Sequence, residues 1–99
     1  MDKWADYLIS AVRYNPQHTH IVKVKRHLDT GEGVVTFNII DKILVVKDLI
    51  DGKTYKTAYQ ENDGKWRMGE DVRLVANTGF ITTDPNTTTR DNLGNLPEF

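Results

Sequence analysis

Three histidines, His18, His20 and His27, are the side chains of this 99-residue chain most suited to chemistry. Alternate residues of a strand share a face, so a His-x-His pair can hold a metal ion when a carboxylate completes the set. Here His18 and His20 begin inside the turn-forming run Asn15-Pro16-Gln17, and no third ligand is set by spacing. They are weak metal candidates, and histidines that face water from a turn or a sheet edge are the plainer expectation. Ser10, the single serine, lies in the middle of a strand-like stretch with no base placed beside it. No glycine-rich phosphate loop and no Glu-x-x-His pattern is present. Asp41, Asp48 and Asp51 read as the solvated face and ends of a helix, and Glu70-Asp71 as the beginning of a strand. No catalytic residue and no cofactor is expected.

The second chemical cluster is basic. Arg13, Lys23, Lys25 and Arg26 stand near Tyr14, Tyr7 and Trp4, and cations interleaved with aromatics are the ingredients for single-stranded nucleic acid. Two facts pull the other way. Lysines on an edge strand are a common device against edge-to-edge pairing, and the chain's formal net charge is only -1. The leading expectation is therefore a small non-enzymatic binding or interaction module, with a protein partner or a second copy as ligand, and a monomer or weak homo-oligomer as its state. Nucleic acid bound by the basic N-terminal hairpin is the first alternative, and an enzyme with a hidden site the second. Near the end, Leu93, Leu96 and Phe99 recur at threes and suit a groove, either of their own domain or of a partner. The same logic makes Trp66 a core or rim anchor.

These residues need elements to position them. The longest apolar stretch, Asn38 to Gly52, reads as the one helix. Ile39, Ile43, Val46 and Ile50 form a stripe at 3.6-residue spacing, Asn38 can cap with Asp41 three residues on, and Gly52 supplies the left-handed stop. Leu44 and Val45 lie off the stripe and call for a loop, the tail or another protomer to cover them. Phe37, just before the cap, is placed to staple onto Lys42 or Ile43. Tyr7 to Tyr14 and His20 to Leu28 alternate as the strands of an antiparallel hairpin, with Val22 and Val24 toward the core and Lys23, Lys25 and His27 toward water. Asp29 to Gly33 is a turn. Thr54 to Gln60 and Asp71 to Ala76 are further strands, Lys65 to Met68 is a short extended piece, and Asn77-Thr78-Gly79 connects to Phe80 through Thr83. The class is α+β: a curved antiparallel sheet, in the order strand-strand-helix-strand-strand-strand, with the helix packed on one face. The chain is one domain, 1–99, in which 84–99 is an irregular tail packed on the rest.

Composition narrows the setting. With no cysteine, there is no disulfide framework and no thiolate ligand, and the cytoplasm is the expected compartment. No apolar run approaches a membrane span, and the start Met-Asp-Lys-Trp-Ala-Asp is charged where a signal peptide turns apolar. No membrane role is expected. No internal repeat is visible.

Two stretches carry a resemblance: Tyr7-Leu8-Ile9-Ser10-Ala11-Val12-Arg13-Tyr14 and Asp91-Asn92-Leu93-Gly94-Asn95-Leu96-Pro97-Glu98-Phe99. Between them come Leu49-Ile50-Asp51-Gly52, Trp66 with Gly69, and Thr82-Thr83-Asp84. Together they resemble the small bacterial proteins of domain-of-unknown-function family 3892 over nearly the whole chain. The resemblance implies a compact stand-alone domain whose pattern includes the terminal Asn-Leu-Gly-Asn-Leu-Pro. It brings no activity to any residue.

Overall fold

Alternation along the first two strands decides which residues meet the helix and which remain on the other side of the sheet. A computed structural model of the chain describes residues 4–17, 20–75, 81–83 and 96–99. Within these the order is β1 (Tyr7–Tyr14), β2 (Ile21–Leu28), β3 (Asn38–Asp41), α1 (Lys42–Ile50), β4 (Tyr55–Gln60), β5 (Trp66–Leu74) and β6 (Ile81–Thr82). The six strands form one open, curved sheet ordered β3-β2-β1-β4-β5-β6. The class is α+β, with α1 across one face. No helix among the described residues is long and apolar enough to cross a membrane.

The sheet is mixed. β1 pairs antiparallel with β2, and β2 with β3, but β1 and β4 run parallel through Tyr7 to Ile9. β3, α1 and β4 thus make a crossover that passes over β2 and β1, a connection absent from the sequence reading. A local clamp sets the parallel register. Thr54 donates its N–H to Asp6 Oδ2 at 2.9 Å, and Thr54 Oγ1 receives the Asp6 N–H at 2.9 Å.

The helix is shorter than its apolar run. Asn38–Asp41 pairs with Lys23–Arg26 as β3, and α1 starts only at Lys42. The expected stripe is split: Ile43 is 62% and Ile50 68% exposed, and of its members on the helix only Val46 is buried, beside Val45, which lay off the stripe and is 0% exposed. Leu44 faces out. Asp41 is the N-cap but makes no side-chain cap bond; its carboxylate takes the Lys23 ammonium at 2.6 Å instead. Gly52 does end the helix, at φ +90°, with its N–H on Leu49 O.

Under α1 lies the main core, built from Ile9, Val12, Val24, Tyr55 and Val72 of the sheet with Val45 and Val46 of the helix. Ile21 joins it, whereas Val22 faces solvent. A break in the β1–β2 register after Arg13 accounts for this exchange. Asp48 belongs to this layer and is not a solvated helix carboxylate. Tyr55 donates its hydroxyl to Asp48 Oδ2 at 2.6 Å, and Arg26 reaches the same oxygen at 3.3 Å. Burial, foremost, and the bond to Asp48 push the Tyr55 hydroxyl above the usual tyrosine range, against the pull of Arg26. On the opposite face Ala5, Leu8 and Ala58 form a smaller cluster with Trp4, Val34 and Trp66.

β4 and β5 form a hairpin turned by Glu61 to Gly64. β5 unites the short extended piece and the fourth strand of the sequence reading. Ala76 to Phe80, and the tail up to Asn95, lie outside the described residues.

Two predictions follow from this packing. A Cβ at Gly69 would strike the Thr57 hydroxyl and stand 2.8 Å from the Thr57 carbonyl oxygen. Gly69→Ala should destabilise by about 1–3 kcal/mol in urea unfolding, while Gly33→Ala, with nothing within 4 Å, serves as the control. Because the folded pKa of Tyr55 is raised, its stabilising share is complete below the unfolded value of about 10 and is lost as pH rises past it. Unfolding free energy should therefore fall on the alkaline side. Tyr55→Phe should flatten that fall and destabilise by about 1–2 kcal/mol at neutral pH.

Candidate functional site

The helix-free face of the sheet carries a cleft of about 630 Å³. Its floor is Ser10 and Ala11 of β1 with Lys25 and His27 of β2; Tyr59, Gln60 and Trp66 of the β4–β5 hairpin rise on one side. The opposite wall is the segment Val34 to Phe37. Sequence chemistry brings that wall back over the sheet. Asp29-Thr30-Gly31 turns with Gly31 at φ 83°, Thr30 N–H bonds Gly33 O at 3.2 Å, and Val35 N–H then returns to Leu28 O at 3.0 Å.

His27 ties the wall to the floor. It is only 5% exposed. Its Nδ1 lies 2.8 Å from Val35 O, which can only accept, so Nδ1 carries a proton and donates it; in the neutral ring Nε2 then accepts the Ser10 hydroxyl, 2.7 Å away. The ring meets Trp66 edge-on at 4.9 Å and Phe37 at 6.0 Å. Sequence alone leaves Ser10 without a base and sets His27 toward water; the fold makes them partners. A register break between Ile9 and Ala11 puts the Ser10 hydroxyl diagonally across from the ring. The hydroxyl and both ring nitrogens are thereby used in holding β1, β2 and the wall together.

Lys25 has a different kind of partner. Its Nζ lies 4.5 Å from the ring centre of Phe37 and 5.1 Å from that of Phe99. It forms no ion pair with a carboxylate among the described residues. Phe37 therefore faces the cleft instead of stapling the helix. Arg13 stands at the same end, its guanidinium 4.8 Å from the Phe99 ring and its Nε donating to Phe99 O at 2.8 Å.

The other basic residues do not join this pair. Lys23 is held by Asp41 at the sheet edge. Arg26 lies on the helix side with Asp48, 4.3 Å above the Tyr7 ring, and Tyr14 packs against the core on that side. The five basic-hairpin candidates are thus divided between faces. Of the weak metal candidates, His18 lies outside the described residues and His20 is exposed, with its N–H on Asn15 Oδ1. No group of three His, Cys, Asp or Glu among the described residues is arranged to hold a metal.

The chain end closes the cleft. Val12 donates to Pro97 O at 2.9 Å, and Phe99 N–H returns to Val12 O at 3.1 Å, a parallel bridge on the edge of β1 that β4 leaves free beyond Ile9. Leu96 packs on the main core and Pro97 lines the cleft; Leu93 lies outside the described residues. Deleting residues 96–99 should lower stability by about 2–3 kcal/mol, the sum of two backbone hydrogen bonds and a half-buried leucine. Denaturant titration of the truncated chain measures it, and an unchanged midpoint would mean that the tail contributes nothing to the fold.

Residues 8–97 match the family model described as "Protein of unknown function (DUF3892)". No curated protein and no solved structure matches the chain. With nearly its whole length inside that one match, from Leu8 of the central strand to Pro97 of the closing tail, the chain belongs to the DUF3892 family.

Proposed function

We propose that the protein is a non-catalytic binding module whose cleft takes a flat, anionic ligand. One observation carries the reading: Lys25, half-buried on the cleft floor, is held by two aromatic rings and, among the described residues, by no carboxylate. A ring face attracts an ammonium by about 0.5–2 kcal/mol but leaves its charge unneutralised and its N–H donors open. An anion entering the cleft meets that charge in a setting less polar than bulk water, where a charge-assisted hydrogen bond gains strength. Among the described residues no carboxylate side chain lines the cleft to oppose it. The rings of Phe37, Tyr59 and Trp66 supply apolar walls for a planar group, the usual composition of a small-ligand site.

Ser10 and His27 serve this reading as structure. Their bond to each other and to Val35 keeps the wall at a set distance from the floor, so the site is largely preformed.

The test is an amide NMR titration of labelled protein with 1-naphthyl phosphate, a ring bearing one phosphate. Shifts should centre on Lys25, His27, Gln60 and the Trp66 indole. Lys25→Gln should weaken binding about fivefold or more, and neutral 1-naphthol should bind less tightly by a similar factor. Unchanged affinity in Lys25→Gln would overturn the proposal. So would a silent cleft combined with concentration-dependent shifts over Ile43, Leu44 and Ile50, which would point instead to self-association through the outward helix face.

A further inference from the structure

A second hollow of about 360 Å³ adjoins the cleft and shares Val34 and Trp66 with it. Trp66 therefore borders both spaces. The far hollow has Trp4 as its own aromatic wall and Lys65 as its own cation. Lys65, like Lys25, forms no ion pair with a carboxylate among the described residues. One carboxylate does line it, that of Asp29, but this group is turned into the fold. It is buried, with Oδ2 taking the Trp4 N–H at 2.7 Å and Oδ1 the Gly31 N–H at 2.9 Å. The same bond holds the backbone of Trp4 beside the hollow.

The two spaces thus repeat one pattern side by side: aromatic surface and one lysine without an ion pair among the described residues, with Trp66 bordering both. A single planar anion needs the pattern once. A polymer that alternates flat rings with single negative charges needs it once per unit, and single-stranded nucleic acid is such a polymer. We infer that two successive nucleotides of a single strand occupy the two hollows, bases against the aromatic walls of Trp66 and Trp4 and phosphates at Lys25 and Lys65. The inference rests on the anionic-ligand reading of the first cleft and extends it. A duplex keeps its base faces stacked and cannot offer them to these walls. Stacking on aromatic faces and attraction of phosphate to lysine are open to every base, so the recognition inferred here is sequence-tolerant. This site differs from the basic hairpin surface of the sequence, since Lys23 and Arg26 take no part.

The experiment measures binding of 5′-phosphorylated thymidylates and uridylates, from mono- to tetranucleotide, by tryptophan fluorescence. Affinity should rise about tenfold from mono- to dinucleotide, as one added stacked base and one added phosphate require, and then level off. The dinucleotide's log–log salt slope should be about −1.4, for two phosphates. Trp4→Ala should remove the rise while leaving mononucleotide affinity within about twofold. Lys65→Gln, a change at an exposed side chain, should cut dinucleotide affinity about threefold to fivefold and guards against a misfolded Trp4 variant. The step in either sugar series supports the inference. Its absence from both, or its persistence in both variants, overturns it, as does equal binding of a duplex. If 1-naphthyl phosphate binds at Lys25 and the dinucleotide gains nothing over the mononucleotide, only this inference falls; if neither ligand binds, the binding reading falls with it.

Discussion

Neighbouring side chains of β2 leave the sheet on opposite sides, and that two-residue period separates the molecule's two halves. Arg26 points into the layer beneath α1, where Asp48 and Tyr55 engage it. Lys25 and His27, one residue to either side, emerge on the face without a helix. A slip of one residue would bury the lysine under the helix and send Arg26 into the cleft. The Asp6–Thr54 clamp and the antiparallel pairing along β1 therefore do more than align strands. They hold a structural cation and a candidate binding cation, adjacent in the chain, in opposite environments.

The central strand completes the separation. β1 has β2 along one edge for its whole length, but its other edge is shared: β4 pairs with Tyr7 to Ile9, and the chain end bonds to Val12. Ser10 sits where the register breaks, its hydroxyl turned toward the buried His27 ring. Among the described residues no buried side-chain nitrogen or oxygen lacks a hydrogen-bond partner. Among the described residues the Lys25 ammonium on the cleft side has no carboxylate partner, and an exposed or half-exposed ion pair would add little stability in any case.

Local features of the fold were legible where one residue type answers one local demand. β1 begins and ends where its alternation does, Gly52 stops the helix, and Glu61 to Gly64 turns the hairpin. Asn38 to Asp41 was not legible, because a short Asn-Ile-Ile-Asp run fits a helix start as well as a strand. Pairing with β2 chose the strand, and the shifted helix start then put Val45 and Val46 inward and Ile43 outward. The parallel pair was hidden for a related reason. Nothing near β3 or β4 signals that the helix between them crosses two strands.

Composition and short-range pattern by themselves determined a single α+β domain, the turns at Asp29 to Gly33, Gly52 and Glu61 to Gly64, and the cations and aromatics available to a ligand. Tertiary structure alone decided which of them meet. Ser10 and His27 are 17 residues apart, and Arg13 and Phe99 are 86 apart. Periodicity states that residues share a face but not what that face will cover. That depends on sheet order and on a register break that moves side chains by one place, so the cleft exists only once strands distant in the chain have paired.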